Sequence, residues 1–304
     1  MTLLTMGSVN RDITAQLIDF PQPGQTVLAA AAETATGGKS ANQAVAAALV
    51  GADSHLVARC GADAAGTEAV ASLLEAGVRA EAVTPGRGAQ GMAFITVRAD
   101  GENTIVVIPG ANAELAAEDC PPGLLAQAGW ALLSLEVPLK TVLETAARAR
   151  AAGTKVALNA SPLPAGPVDL RDVDMVIVNE GEARHLLESA QGQTGKPADS
   201  EADFAGSDPA AQLGLETLIV TRGAAGAALH RRGEPDVEVS GIPVRAVDTS
   251  GCGDAFAGAL VGRLTCGDSL EAAAGTATRF AADAATRFGT QCSYPRDFRV
   301  STGS

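Results

Sequence analysis

Asp248-Thr249-Ser250-Gly251-Cys252-Gly253-Asp254, followed by Ala255-Phe256-Ala257-Gly258-Ala259-Leu260, is a glycine turn running directly into a stretch of helical spacing. Gly251 and Gly253 let the backbone fold tightly, so several amide N–H groups should converge at a helix N-terminus, where they attract an anion. Asp254 stands in the first turn of that helix. A carboxylate there complements the helix dipole but repels a phosphate. It is therefore either a dipole partner and no more, or a general base facing a substrate hydroxyl. Two glycines alone would favour the first reading; the whole pattern Asp-Thr-x-Gly-x-Gly-Asp is more specific.

Length and composition bound what this stretch can belong to. With 304 residues, 46% of them apolar, and no composition break of domain size, the chain can bury one large α/β core with a minor appendage. Lys and Arg total 22 against 35 Asp and Glu, and the resulting charge of −13 disfavours nucleic acid or an anionic membrane as partner. Cys60, Cys120, Cys252, Cys266 and Cys292 are odd in number and widely spaced, which argues against a disulfide framework or structural zinc. The first residues, MTLLTMGSVNRD, lack a basic stretch and a long apolar run, and no segment approaches a membrane span, so a cytoplasmic enzyme is expected.

The chain then alternates strand-like and helix-like segments. Leu3 to Met6 reads as a buried strand, Ala44 to Ala52 as part of an Ala-rich helix, and Ala69, Val70, Leu73 and Leu74 as the apolar face of another. Later come strands at Trp130–Leu135, Lys155–Asn159, Met175–Val178 and Leu218–Thr221, with helices at Pro138–Ala151, Glu180–Leu187 and Ser269–Arg287. This rhythm implies right-handed crossovers and a doubly wound, mainly parallel sheet. Short strands within 13–36, and at 91–98 and 104–108, should pair as a small separate sheet. The segment 99–103 carries an Asp-Gly hairpin signal, and Ser189 to Asp208 reads as a polar surface excursion.

In a parallel sheet ligands gather at strand carboxyl ends, and the polar residues there are the candidates. Asn10 and Asp12, two apart, point the same way on an extended backbone and suit a pair of hydroxyls, or they form an Asx turn. Gly37 and Gly38 permit close approach of a ligand, and Lys39 and Asn42 sit near one another where the helix begins. Glu136 is placed to accept from a hydroxyl or to cap the next helix. Asn179 and Glu182 lie beside a strand end as oxygen donors of the kind Mg²⁺ takes, or as an ordinary acidic helix start. Thr221 offers a hydroxyl, and Gly223 and Gly226 a close backbone approach to phosphate.

Two stretches carry a family resemblance. Asp248 to Asp254 resembles the second signature of the PfkB, or ribokinase-like, family of carbohydrate kinases, with Cys252 in place of the usual alanine. GGKSANQAVAAA at 37–48 resembles its first signature, with Ser40 in place of a glycine. If that position demands positive φ, Ser40 is strained or the turn differs. The resemblance covers nearly the whole chain and implies a three-layer αβα, doubly wound, mainly parallel sheet. A single domain over 1–304 would carry a small β-sheet lid from about 12–36 and 90–109, and the lid would also make a homodimer contact.

The resemblance further implies phosphoryl transfer from ATP, with Mg²⁺, to the 5-hydroxyl of D-ribose. Asp254 would be the base, and the amides of Gly251, Cys252, Gly253 and Asp254 would stabilise the transferring group. Asn10, Asp12, Gly38, Lys39, Asn42 and Glu136 would hold the sugar, and Asn179, Glu182, Thr221, Gly223 and Gly226 the nucleotide. Phe288 to Ser293 resembles the family segment beside adenine and a monovalent cation, so the turns at Asp248, Ser250, Ala284, Gly289 and Ser293 would form a potassium site. Kinases of deoxyribose, fructose, a ketodeoxy acid or a nucleoside are the neighbouring alternatives, and a non-catalytic sugar or nucleotide sensor is the alternative of another class. An aromatic content of 3% weighs against a nucleoside. Asp254 weighs against a sensor, which has no need of a base.

Overall fold

The computed structural model describes residues 1–98, 102–190 and 207–300. Its large sheet is built from β1 (Thr2–Met6), β4 (Asp53–Cys60), β5 (Arg79–Pro85), β8 (Ala128–Ser134), β9 (Lys155–Asn159), β10 (Met175–Asn179), β11 (Thr217–Thr221), β12 (Gly226–Arg231) and β13 (Val237–Ser240). The spatial order is β13-β12-β11-β10-β9-β8-β1-β4-β5. Pairing is parallel from β11 through to β5. β12 and β13 close one edge antiparallel. That edge falls after the Thr221 turn and was not apparent in the alternation of the sequence.

Runs such as Met-Val-Ile-Val in β10 are apolar at successive positions because both sheet faces are covered. Adjacent residues of β1 show this directly. Leu3 belongs to a core with α1 (Lys39–Leu49), α2 (Ala64–Glu75), α7 (Cys252–Cys266) and α8 (Leu270–Ala284). Leu4 belongs to the opposite core, with α3 (Pro122–Gln127), α4 (Leu139–Ala151), α5 (Glu180–Ala190) and α6 (Pro209–Gln212). This is the expected three-layer αβα arrangement. Of the face expected on α2, Ala69 and Leu73 are buried whereas Leu74 is 55% exposed, because the helix contributes a narrower stripe than the sequence suggested.

A separate sheet has the order β3-β2-β6-β7, with β2 spanning Asn10–Leu17, β3 Ala31–Gly37, β6 Gly91–Arg98 and β7 Asn103–Ile108. Its β2–β6 pair is parallel and its outer pairs are antiparallel. Ala93, Ile95 and Val97 are buried on one side, while every residue of β7 is exposed. The Asp100-Gly101 hairpin signal lies outside the described residues, as does 191–206 of the expected surface excursion. Asp208, at the end of that excursion, caps α6 by accepting from Ala211 N–H at 2.9 Å.

The order of the large sheet reverses between β1 and β8, since the chain winds outward from β1 through β4 and β5, and the other way from β8 through β9 and β10. Gly7 to Asn10 leave the carboxyl end of β1, and Leu135 and Glu136 leave that of β8. The crevice at such a switch point is where open α/β sheets bind ligands.

Candidate active site

Helix α7 starts at Cys252 behind Gly251, which has φ 72° and ψ 0°, a left-handed conformation that glycine adopts without a Cβ penalty. Cys252 N–H donates to the Thr249 carbonyl at 3.2 Å, and the first helical bond runs from Ala255 N–H to the Gly251 carbonyl. The amides at the helix mouth that point outward are therefore those of Gly253 and Asp254, while that of Cys252 is spent inside the turn. Tyr294, 2% exposed, donates its hydroxyl to the Gly251 carbonyl at 2.9 Å and braces the turn from behind. Sequence reading passed over this tyrosine; its position after the C-terminal Gly-Thr-Gln turn offered no local signal.

Asp254 is 7% exposed and each carboxylate oxygen accepts one amide N–H. Asn42 donates to Oδ2 at 3.0 Å and Gln43 to Oδ1 at 3.1 Å. Lys39 Nζ stands 4.0 Å from Oδ1. Burial draws the Lys39 ammonium down, but the carboxylates of Asp254, Glu136 and Glu182 outweigh it and hold the pKa above the ordinary lysine range. Lys39 therefore stays cationic. A carboxylate has room for about four acceptor contacts, so Asp254 can still receive a hydroxyl proton.

The expected sugar residues come together around this carboxylate. Asn10 and Asp12 are buried and face the same side of β2. Glu136 Oε2 accepts from Ser8 Oγ at 2.7 Å, from Asn10 Nδ2 at 3.4 Å and from Lys39 N–H at 3.1 Å. Glu136 thus caps a helix, but that helix is α1 and not the one that follows it in sequence. Asp12 Oδ1 is buried without a hydrogen-bond partner. Burial, with further contributions from Glu136 and Asp254, pushes the Asp12 carboxyl up to about 7. Gly38 has φ 91°, and a Cβ there would come within 2.7 Å of Asn10 N, so only glycine lets α1 begin this close to the strand. Ser40 carries no positive φ. It lies in the first turn of α1 and hydrogen-bonds Ser134 Oγ at 2.8 Å, so the departure from glycine adds a tie and no strain.

Asn112, in the Gly110–Glu114 turn that follows β7, donates to Asn10 Oδ1 at 2.7 Å and accepts from Val9 N–H at 2.9 Å. It fixes which way the Asn10 amide faces.

On the other side of Asp254, Asn179 and Glu182 form a reciprocal cap, Asn179 N–H to Glu182 Oε2 at 2.9 Å and Glu182 N–H to Asn179 Oδ1 at 2.8 Å. Together with Lys39, Thr221, Gly253 and Asp254 they line a polar cavity of about 130 Å³. Thr221 Oγ1 donates to the Val178 carbonyl at 3.2 Å, which leaves the oxygen's lone pairs facing outward. A second cavity of about 430 Å³ is lined by Gly223, Gly226, Cys252, Phe256 and the exposed loop from Ile242 to Val244. Asn179, Thr221 and Gly253 border both cavities. A polar chamber opening into a larger apolar one matches a phosphate chain followed by a flat base. The loop at 242–244 and Phe256 were missed in sequence, because apolar residues that line a slot look like any others.

Asp248 accepts from Ser250 N–H and from Gly289 N–H, both at 2.9 Å, joining the two turns expected around a cation. The Ala284 carbonyl accepts from Arg287 N–H at 3.1 Å, and the Ser293 carbonyl from Arg287 Nη1 at 3.0 Å.

The family description "pfkB family carbohydrate kinase" matches residues 2–297. The chain belongs to this family. It is an ATP-dependent carbohydrate kinase. Among relatives of this pfkB-family kinase, a ribokinase of Haemophilus influenzae is 33% identical over 299 residues, covering 97% of this chain and 95% of the relative. A deoxyribokinase of Salmonella typhi is 34% identical over 307 residues, covering 97% and 96%. The solved structure of Arabidopsis thaliana ribokinase with ribose and ATP has a TM-score of 0.83 at 29% identity, covering 97% of this chain and 95% of that one.

Proposed function

We propose that this kinase transfers the γ-phosphoryl group of ATP to the 5-hydroxyl of D-ribose. One observation carries the reading: the buried Asp254 carboxylate stands at the mouth of α7, between the Asn10, Asp12 and Glu136 set and the polar end of a two-chambered nucleotide cleft. A base at such a junction faces an acceptor hydroxyl on one side and a phosphate on the other.

The hydroxyl oxygen of the sugar attacks the γ-phosphorus as Asp254 takes its proton. A new O–P bond forms, the bond to the β–γ bridging oxygen breaks, and ADP leaves with that electron pair. The outward amides of Gly253 and Asp254 and the Lys39 ammonium offset charge on the transferring group. Asn10, Asp12, Gly38, Asn42 and Glu136 hold the sugar, and Asn179, Glu182, Thr221, Gly223 and Gly226 surround the nucleotide. The small sheet acts as a lid that excludes water, which otherwise competes as acceptor.

Magnesium bound to the nucleotide would neutralise phosphate charge. Among the described residues no cluster of three or more His, Cys, Asp and Glu is disposed to hold a metal. Glu182 and Asp254, across the small polar cavity, fit an ion that arrives with ATP and keeps most of its water. The Ala284 and Ser293 carbonyls, each accepting one bond from Arg287, keep a second lone pair, and beside the turns joined by Asp248 they suit a potassium ion as activator. Activity unchanged when a large organic cation replaces potassium would remove that assignment.

A homodimer through the lid fits the exposed apolar run of Ile105, Val106, Val107 and Ile108, with Phe94 beside it. Deoxyribose is the second substrate reading, supported by the deoxyribokinase relative. Specificity constants for D-ribose and 2-deoxy-D-ribose separate the two: a ratio of tenfold or more for ribose supports the first, and the inverse ratio moves the substrate while leaving the chemistry.

A further inference from the structure

Gln43 and Gln291 were given no part in binding the sugar or the nucleotide, yet both end at the base. Gln43 is fully buried in α1, and its Nε2 donates to Asp254 Oδ1 and to Asn159 Oδ1, each at 3.1 Å. Asn159 passes the connection on by donating to the Ile177 carbonyl of β10 at 3.1 Å. Gln291 is 4% exposed, and its Nε2 donates to Asn42 Oδ1 at 2.9 Å, while Asn42 Nδ2 donates to Asp254 Oδ2. The carboxylate thus sits at the fork of two amide chains. One is anchored in the sheet. The other is anchored in the C-terminal turn, where Gly289 is held by Asp248, three residues before Gly251 at the start of α7.

The amide oxygens add a second, independent observation. Gln43 Oε1 and Gln291 Oε1 are both buried with no hydrogen-bond partner among the described residues. A glutamine that served only the core would pair its acceptor, since buried polar groups are nearly always satisfied. Both side chains instead present their donors to the network around Asp254 and leave their oxygens unmatched. Neutral donors suit this place, because they orient a carboxylate without adding a second cation to the Lys39 ammonium that already stands 4.0 Å from Oδ1.

We propose that Gln43 and Gln291 are positioning residues for the base, Gln43 directly and Gln291 through Asn42. They hold the Asp254 carboxylate in the plane that meets the acceptor hydroxyl, and they tie that plane to the C-terminal turn beside the nucleotide cleft. Asn42, read from sequence as a sugar ligand, spends one amide N–H on Asp254 and accepts from Gln291, so part of its effect on the reaction passes through the base.

The inference rests on Asp254 being the base, and the experiment separates the two. Steady-state kinetics with Mg–ATP and D-ribose, or whichever sugar the wild type turns over best, are measured for wild type, Asp254→Asn, Gln43→Met, Gln43→Glu and Gln291→Met. Melting temperature is followed for each. Methionine keeps the length of glutamine without its donors. Glutamate keeps the shape but faces Asp254 with a second carboxylate. Misaimed catalytic groups cost on the order of 10²-fold, so kcat should fall by about tenfold to a hundredfold in Gln43→Met and Gln291→Met, and further in Gln43→Glu. The sugar KM should stay within about threefold, because groups that aim the base act in the transition state and not on ground-state binding. Folded Gln43→Met with kcat within twofold of wild type, beside an inactive Asp254→Asn, overturns the positioning role alone. A rise in KM at unchanged kcat does so too, by making these residues part of sugar binding. An active Asp254→Asn overturns the base, and the proposal with it.

Discussion

Gly258 of α7 lies against the backbone of Gln43 in α1, and a Cβ on Gly258 would collide with the Gln43 carbonyl oxygen. One turn further on, a Cβ on Gly262 would lie 3.0 Å from Ala47 Cα. The two helices that carry Asp254 and its amide partners therefore touch backbone to backbone, and this contact lets Asn42 and Gln43 reach Asp254. Gly258→Ala should cost about 1–3 kcal/mol of stability by overpacking. It should also lower kcat more than it raises the sugar KM. Gly275→Ala in α8, where a Cβ meets nothing within 4 Å, is the matched control and should be neutral or stabilising. Thermal melts and steady-state kinetics on the pair test this; equal effects of the two substitutions would refute it.

The Asp12 carboxyl, raised to about 7 by burial and by the carboxylates of Glu136 and Asp254, predicts a pH dependence of sugar binding. Its folded pKa lies above the unfolded value, so the free protein loses stability as pH rises between the two values, and the loss is complete above about 7. A sugar whose hydroxyls donate to Asp12 favours the ionised form. Its affinity should therefore strengthen as pH rises through that range, with release of a proton. Isothermal titration at pH 6 and 8 measures it, and Asp12→Asn should bind weakly with no such difference. Equal wild-type affinity at both pH values would count against Asp12 as an ionised sugar ligand.

Cys252 occupies a reactive-looking place at a helix N-terminus, but burial, together with Asp248 and Asp254, pushes its thiol up to about 12. The thiol form should persist at physiological pH, and thiols react through the thiolate. Brief alkylation at pH 8 should label the exposed Cys266 and Cys292 and spare Cys252, Cys60 and Cys120. Cys252→Ala, which restores the family's usual residue, should keep kcat within about twofold, since the turn uses the backbone of this residue and substitutions without lost contacts have small effects. Rapid modification of Cys252 by peptide mass analysis would contradict the assignment.

The exposed apolar strand β7 gives the association prediction. Val106 is 63% exposed and lies on an edge strand, a place that proteins ordinarily blunt with charge. Light scattering at micromolar concentration should return a dimer mass for the wild type. Val106→Asp should shift it to the monomer without unfolding. A wild-type monomer would remove the lid contact from the account.

Much of this was legible in the sequence because its signals are local. The glycine turn before α7, the Gly-Gly start of α1, and the strand ends at Asn10, Glu136 and Thr221 each sit in a short pattern whose chemistry can be read residue by residue. The doubly wound, mainly parallel sheet followed from the alternation of elements, and its three layers from the family resemblance. What escaped were relationships between distant segments. Gln43, Asn112, Gln291 and Tyr294 are ordinary residues until the fold brings them to Asp254, Asn10, Asn42 and Gly251. Glu136, read from sequence as a hydroxyl acceptor or a cap on the helix that follows it, caps α1, because the crevice between β1 and β8 brings that N-terminus closer. The antiparallel edge of β12 and β13 was missed because no crossover helix marks it, and because the four-residue β13, with Glu238 and Ser240 exposed, is too short to show a pattern.

The central claim is that Asp254 takes the proton from a sugar hydroxyl as the γ-phosphoryl group of ATP is transferred, and ADP release tests it most directly. Purified wild type and Asp254→Asn are assayed with Mg–ATP and a panel of D-ribose, 2-deoxy-D-ribose, hexoses and nucleosides. The account predicts ribose-dependent turnover that falls by roughly 10²-fold or more in the variant, whose amide keeps the shape of the carboxylate but cannot accept the proton. Turnover of the variant equal to that of wild type would contradict it.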